Sequence, residues 1–166
     1  MIRATLLGLC LLLGACAART PLPLAPAQLV TALPLSLHIR REQAGQQQDW
    51  LLVLQREDAV LRWSLFDPLG VPLARQQLSA GEWRNDGLLP PNAEARELFA
   101  ALLFALTPGD ALARYYPTDA WRLAADGQRR LNPAWQIGYR APLNFTLNTM
   151  RGLSYRVSAL AAEEGS

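Results

Sequence analysis

The sequence predicts a mainly β domain with some helix: a half-open antiparallel barrel of about eight or more strands, with a helical insertion covering its concave face. Two observations predict this class. Short segments with period-two alternation recur between turn residues, and one longer segment of helical period interrupts them after the fourth. The composition agrees, because 51% hydrophobic and 18% charged residues in a chain of 166 suit one folded domain rather than a disordered chain.

In the first half of the domain, alternating apolar and polar residues predict four strands joined by short links, which indicates an antiparallel meander. The turn Asp67-Pro68-Leu69-Gly70 is the clearest link, because Asp favours its start, Pro presets φ and Gly tolerates a positive φ. Trp83 is placed just past the fourth strand. The four strands cover residues 35–40, 50–54, 61–65 and 71–78.

The helical insertion begins at Asn92, a good N-cap residue, with Glu94 in the first turn. Apolar residues then recur at helical spacing as far as Leu106, and further apolar residues between them leave little of this helix to face water. Thr107-Pro108 predicts a second short helix, with Thr as N-cap and Pro at the first helical position. Its buried residues would be Leu112 and Tyr115.

The second half returns to strands. Asp126-Gly127 is a strong hairpin signal between two short segments. Alternation then continues to the end of the domain, and a frayed tail occupies residues 161–166. The predicted strands cover residues 121–123, 129–132, 134–140, 144–148 and 153–158.

The first fifteen residues predict a lipoprotein signal peptide. A positive start at Arg3 precedes an apolar run of about 12 residues, which is too short for a membrane span of roughly 20. The run ends in the lipobox Leu13-Gly14-Ala15-Cys16, so we expect cleavage between Ala15 and Cys16 and acylation of the Cys16 thiol. The alternative is an ordinary secretory signal with a chance cysteine.

Two or three acyl chains hold a protein firmly to a bilayer, so the first expected partner is a membrane, reached through the lipid anchor. Ala17 follows the lipobox cysteine, where Asp would favour the inner membrane of Gram-negative bacteria. We therefore expect a lipid-anchored protein on the periplasmic face of the outer membrane. Residues 16–34 contain four Pro and are expected to form a plain tether that does not pack well, followed by the domain at 35–160.

Several function classes are disfavoured. The 16 basic residues are all Arg and are spread among 14 acids, which argues against a nucleic-acid partner. Cys10 and Cys16 are the only cysteines and His38 the only histidine, so we expect no disulfide, metal or cofactor. No catalytic set is evident, and we expect a monomer that is not an enzyme. The remaining enzyme alternative is a pair of turn acids that converge in space, drawn from Glu57, Asp58, Asp67 and Asp86.

Trp and Leu side chains line one face of the predicted sheet. In the first interpretation they are plain core beneath the helix. In the second they line a hydrophobic cavity for an acyl chain or another apolar guest, with the helix as its lid. The candidate cavity residues are Trp50, Leu52, Leu54, Leu61, Trp63, Leu65, Leu98, Leu102, Trp135, Ile137, Tyr139, Phe145 and Leu147.

The order of these elements resembles the LolB family of outer-membrane lipoproteins, which receive other lipoproteins from the periplasmic carrier LolA. The resemblance rests on the lipobox, the meander, the Asp67-Pro68-Leu69-Gly70 turn, the helix pair at 92–116, Trp135 to Tyr139, and the final pattern Leu147, Asn148, Tyr155, Val157. It implies a LolA/LolB-like fold. It also implies that Leu69 protrudes and delivers cargo to the membrane; the alternative is a leucine folded back on the sheet.

The chain is also similar to an uncharacterised family of short bacterial lipoproteins, some of them found beside aryl-polyene synthesis genes. Together the resemblances imply binding or transfer of an acylated guest, either lipoprotein acyl chains or an aryl-polyene lipid. A LolA-like carrier or an exporter would be the protein partner. The alternatives are a structural adaptor of an envelope synthesis or export complex and, in third place, an envelope lipid hydrolase.

Overall fold

The computed structural model describes residues 19–26 and 28–160. The predicted signal peptide, Cys16 and the tail at 161–166 lie outside the described residues. Within them, a single antiparallel sheet of ten strands is accompanied by two α-helices and one 3-10 turn.

The strands fall into two groups of five. The first group comprises β1 Leu35–Gln43, β2 Gln46–Glu57, β3 Val60–Phe66, β4 Pro72–Ser79 and β5 Glu82–Asn85. The helices follow: α1 Ala93–Ala105, the 3-10 turn Gly109–Ala111 and α2 Leu112–Tyr115. The second group comprises β6 Trp121–Leu123, β7 Arg129–Leu131, β8 Trp135–Ala141, β9 Asn144–Thr149 and β10 Ser154–Ala159.

Two meanders meet at the centre of the sheet. The strand order is β5-β4-β3-β2-β1-β10-β9-β8-β7-β6, so the first and last strands of the domain pair with each other. Ile39 of β1 lies between Trp50 of β2 and Val157 of β10, which places three apolar side chains in one row of the inner face. The edges β5 and β6 do not pair, and the sheet therefore stays open.

The helical segment crosses the concave face for a topological reason. The chain leaves the sheet at one edge, β5, and returns at the opposite edge, β6, so the link must span the opening between them. Asn92 starts α1, since its side-chain oxygen accepts a hydrogen bond of 2.9 Å from the Ala95 amide. Nine of the 13 residues of α1 are buried, which agrees with its unbroken apolar run from Leu98 to Ala105.

The predicted fold class is confirmed in its main features: a mainly β, antiparallel and open sheet with a helical insertion after the first meander. The ten strands agree with the predicted eight or more, but β5 is not among the segments that alternation predicts. Trp83 lies within β5, opposite Leu78 of β4, rather than past the last strand of the meander. The helical insertion therefore follows the fifth strand.

The predicted cap of the second helix is wrong. The Thr107 hydroxyl donates to the Leu103 carbonyl at 2.8 Å, so it completes the end of α1 instead of starting a new helix. The next turn begins at Pro108 without a side-chain cap. Tyr116, just after α2, is fully buried, whereas Tyr115 is only half-buried.

The prediction of an unpacked tether is also wrong for its described part. We call residues 19–26 and 28–34 the strap. Thr20 is buried: its amide donates to Glu97 Oε2 at 2.9 Å, its hydroxyl donates to the same carboxylate, and the Trp135 indole N–H donates to the Thr20 hydroxyl at 2.8 Å. The strap is therefore tied both to α1 and to β8.

The strap then follows α1 to the other end of the domain. The Leu24 amide donates to the Tyr115 carbonyl and the Val30 amide to the Leu106 carbonyl, both at 2.8 Å. Leu22, Leu29 and Leu33 pack against the core. The physical reason is that α1 is apolar on every side from Leu98 to Ala105, so this part needs cover on the side away from the sheet as well. A proline-rich segment can supply that cover, because each proline lacks a backbone donor that would otherwise need a partner.

We predict that Thr20→Val lowers the free energy of unfolding by about 1–3 kcal/mol, because Glu97 and the Trp135 indole each lose a partner within a largely buried contact. Thr20→Ser keeps the hydroxyl and should stay close to the parent protein. Urea unfolding of the two variants measures the difference. Equal stability of the Val and Ser variants would show that these bonds do not hold the strap.

Candidate functional site: the concave face and the Leu69 turn

The thirteen candidate cavity residues form one hydrophobic cluster. Eleven of them are buried, while Trp50 and Tyr139 are half-buried at its margin. They do not line an open cavity, however, since α1 fills the concave face of the sheet. The Trp63 ring stacks on Phe99 of α1 at a centroid distance of 5.2 Å, and Leu98 and Leu102 of α1 are fully buried.

Polar contacts fix both ends of α1 to the sheet. At its C-terminal end, the Tyr139 hydroxyl donates to the Ala105 carbonyl at 2.8 Å, and the Arg129 guanidinium donates to the Thr107 carbonyl at 2.8 Å. The Arg129 guanidinium also lies 4.7 Å from the centre of the Tyr139 ring. Burial raises the pKa of Tyr139 to about 12, so its hydroxyl keeps the proton that it donates to α1.

A groove of about 330 Å³ opens beside the N-terminal end of α1. We call it the turn groove, because the strands that flank the Leu69 turn form part of its wall. It has an apolar part and a polar part. The apolar part comprises Trp50, Leu65, Leu73 and Ala95, and the polar part comprises Arg41, Gln48, Asn92 and Glu94.

Glu94 organises the polar side of the turn groove. Its carboxylate accepts hydrogen bonds of 2.6 Å from Arg41 Nε and 2.6 Å from the Tyr155 hydroxyl. Partial burial acts to raise the pKa of Glu94, but the hydrogen bonds from Arg41 and Tyr155 outweigh it and hold that pKa below its usual value. The Arg41 guanidinium lies 5.8 Å from the Trp50 ring centre, so a cation and an aromatic side chain meet at the groove.

The Leu69 side chain protrudes from the Asp67-Pro68-Leu69-Gly70 turn, with 88% of its surface exposed. Asp67 braces the turn, because its carboxylate accepts from the amides of Leu69 at 2.9 Å and Val71 at 2.8 Å. The Gly70 amide also donates to the Asp67 carbonyl, and Gly70 adopts a positive φ of 82°. Of the two alternatives for Leu69, the structure shows the protruding one.

The histidine has a partner that the sequence pattern did not reveal. His38 Nε2 lies 2.8 Å from Asp49 Oδ1, and Arg40 Nε donates to the same oxygen at 3.1 Å. The Arg40 hydrogen bond holds the pKa of Asp49 below its usual value. Ser158 is opposite His38 in the sheet, yet no side-chain hydrogen bond joins the two among the described residues. The register of the β1–β2 hairpin sets Asp49 opposite Arg40, so pairing these two strands in the sequence would have predicted an acidic partner next to His38.

The turn acids do not converge in the interior. Glu57 and Asp86 both pair with Arg62, at 2.5 Å and 3.0 Å, and Asp67 is engaged in its own turn. Arg62 therefore lies between two of these carboxylates, and backbone amides hold the third. Across the part of the chain that the structure describes, no three His, Cys, Asp or Glu side chains come close enough to hold a metal ion.

Comparison with known families gives one match. The model of a family described as "Protein of unknown function (DUF3261)" matches residues 35–140, from the start of β1 into β8. The chain belongs to the DUF3261 family. The match includes the Leu69 turn, α1 and most of the thirteen cluster residues, so the DUF3261 region contains the turn groove. No curated protein matches the chain significantly.

Among the described residues, no single helix is long and apolar enough to cross a membrane. Ala93–Ala105 and Gly109–Tyr115 reach that length and composition only together, as a pair bent by 100°.

We predict that Glu94→Gln lowers the free energy of unfolding by about 1 kcal/mol at pH 7. This figure lies below the usual contribution of charge-assisted hydrogen bonds, because the carboxylate is two-fifths exposed to solvent. The folded-state pKa of Glu94 is lowered. The contribution of the Glu94 carboxylate to stability is therefore fully present above its unfolded-state pKa of about 4.5, and it is lost as the pH falls through its folded-state pKa.

Urea unfolding between pH 3 and pH 7 measures this difference, which should shrink toward zero at the acid end. Glu82→Gln on the exposed edge strand β5 is the matched control and should show no such trend. A Glu94→Gln deficit that does not change with pH would contradict the assignment.

Proposed function

We propose that this DUF3261 protein is a lipoprotein, anchored through Cys16 to the periplasmic face of the outer membrane, whose domain binds or transfers an acylated or hydrophobic guest without catalysing a reaction. The protruding Leu69 carries the proposal. Its side chain is held in water by a braced turn at the edge of a partly apolar groove. The resemblance to LolB supports the same role for the turn.

Leu69 makes no contribution to the core that would explain a leucine at this position. Burying a leucine side chain is worth about 1.5–3 kcal/mol, which the domain forgoes here. Val71, at the other side of the turn, is exposed as well. A leucine held out on a stiff turn can instead gain that free energy by entering a lipid surface or by contacting an acyl chain.

The filled interior determines how a guest must bind. An acyl chain can reach the concave face only if α1 moves, because the side chains of α1 occupy that space, and the strap that covers α1 must move with it. The turn groove lies at the end of α1 nearest Leu69, and it is the place where an acyl chain first meets apolar side chains. We propose that the guest enters there and replaces contacts of α1 with the sheet. A LolA-like carrier or an exporter would supply it, as lipoprotein acyl chains or an aryl-polyene lipid.

A structural adaptor is the second candidate, and one observation favours it. An interior filled by the protein's own helix needs no guest for its stability. The adaptor would hold an envelope synthesis or export complex at the outer membrane. A measurement of amphiphile binding distinguishes the two functions, because a carrier of a hydrophobic guest binds an amphiphile and an adaptor does not need to.

We predict that the lipid-free protein, residues 17–166, takes up a fluorescent fatty acid with micromolar affinity, which corresponds to about 8 kcal/mol. Fluorescence titration measures it. Leu73→Arg, at a half-buried position of the turn groove, should weaken uptake, while Leu123→Arg on the exposed part of β6 should not. A protein that binds no amphiphile would favour the adaptor.

We predict that Leu69→Glu slows delivery of the bound fatty acid to liposomes roughly tenfold or more, because the turn loses the free energy of leucine burial in lipid. Binding in solution and urea unfolding should stay unchanged. Leu123→Glu replaces another exposed leucine, distant from the turn, and should transfer normally. Delivery at the parental rate by Leu69→Glu would remove the turn from the mechanism.

A further inference from the structure

Three loops surround the N-terminal end of α1, and we call them the α1 rim: residues 67–71, 86–92 and 150–153. The first two are joined where the Asn92 side chain donates to the Leu73 carbonyl at 3.4 Å. The third leads into β10, whose Tyr155 donates to Glu94 in the first turn of α1. The loops therefore belong to one end of the domain.

Each loop of the α1 rim exposes one large apolar side chain. Leu69 is 88% exposed, Leu88 is fully exposed and Met150 is 77% exposed. They are the three most exposed large hydrophobic side chains of the described chain. They stand on separate loops instead of forming one flat patch, an arrangement that suits insertion of single side chains between lipid headgroups better than a protein interface.

The carboxylates at and beside the α1 rim all have partners. Asp86 pairs with Arg62 and Arg75, and Glu94 pairs with Arg41. Asp67 is hydrogen bonded to the amides of its own turn. Arginine side chains thus offset two of these three negative charges, which lowers the repulsion between this end of the domain and an anionic lipid surface.

The path of the strap brings the chain toward the same end. Leu24 is bonded to Tyr115 beyond the C-terminal end of α1, while Thr20 is bonded to Glu97 in its second turn. Thr20 is also bonded to Trp135, the first residue of β8, whose partner Thr149 directly precedes Met150. Cys16 precedes Thr20 by four residues, which span at most about 14 Å when fully extended.

We infer that the α1 rim is the membrane-facing end of the domain, with Leu69, Leu88 and Met150 inserted among the headgroups of the bilayer that holds the anchor. The inference rests on the proposed acylation of Cys16 and adds the orientation of the domain and two insertion residues, Leu88 and Met150. The strap acts as a short, fixed connection, so the domain is held against the bilayer. The mouth of the turn groove then opens toward lipid.

Single cysteines test this orientation in the full lipoprotein. An acylated Cys16 has no free thiol, and Cys10 would be removed with the signal, so an introduced cysteine is the only site for a bimane label. The variants are Leu69→Cys, Leu88→Cys and Met150→Cys. The control is Leu123→Cys, which is 65% exposed and lies at the far end of β6, beside the hairpin at 124–128.

In liposomes that contain doxyl-labelled phospholipid, we expect bimane at the three rim positions to be quenched at least about threefold more than at position 123, as insertion into the headgroup boundary requires. Equal quenching at all four positions, or stronger quenching at position 123, would overturn the inference. Hydrogen exchange checks the orientation independently and needs no substitution. Amides of 67–71 and 150–153 should exchange more slowly in the lipoprotein bound to liposomes than in the lipid-free protein in detergent-free solution.

The mass of the N-terminal peptide reports acylation in the same preparations. An acylated protein without rim quenching overturns the orientation alone and leaves the proposed function standing. A protein without acyl chains on Cys16 overturns both, because the anchor that orients the domain is then absent.

Discussion

The burial of α1 against the concave face is the interaction on which the rest of the structure depends. The two meanders pair with each other only through β1 and β10, and the edges β5 and β6 remain apart. Side chains of α1 therefore supply the contacts between the outer strands of the two halves. Each large apolar side chain that α1 buries is worth about 1.5–3 kcal/mol, and the helix buries Leu98, Phe99, Leu102, Leu103 and Phe104.

The same constraint explains the strap and limits the function. From Leu98 to Ala105, α1 is apolar on all sides and cannot leave one side in water, so the strap covers it and Thr20 fixes the cover at one end. A guest that displaces α1 must replace its apolar contacts with the sheet, which an acyl chain can do and a polar ligand cannot. The polar attachments at Glu94 and Tyr139 hold the helix in register and would have to break in that exchange.

Much of the fold could be predicted from local patterns. Strands with clear alternation, such as β1 and β3, and the long apolar helix each carry their signal within about ten residues. β5 was missed because four residues around Trp83 are too few to show a period. The strap was missed because the partners of Thr20 are distant in sequence, at Glu97 and Trp135, and proline-rich segments have no periodicity.

In the candidate site, too, local patterns predicted some features, whereas features that depend on distant contacts could not be predicted. Alternation placed the thirteen apolar residues on one face, but it could not decide whether helix or guest occupies that face, because the volume of α1 is a tertiary property. The turn residues predicted the conformation around Leu69. Its exposure depends on the Asp67 hydrogen bonds and on how far the turn extends beyond β3 and β4. The Arg41–Glu94–Tyr155 contacts join three separate elements, so no local pattern could have indicated them.

Hydrogen exchange of α1 with and without bound fatty acid tests most directly whether this helix shares its place with a guest. Exchange of the buried amides of 98–105 reports separation of α1 from the sheet, while amides of β1, β2 and β10 report the central strands. We predict that saturating fatty acid changes protection in α1 and the strap by at least about tenfold, which is 1.4 kcal/mol, and leaves the central strands unchanged. Bound fatty acid with unchanged protection in α1 would contradict the account.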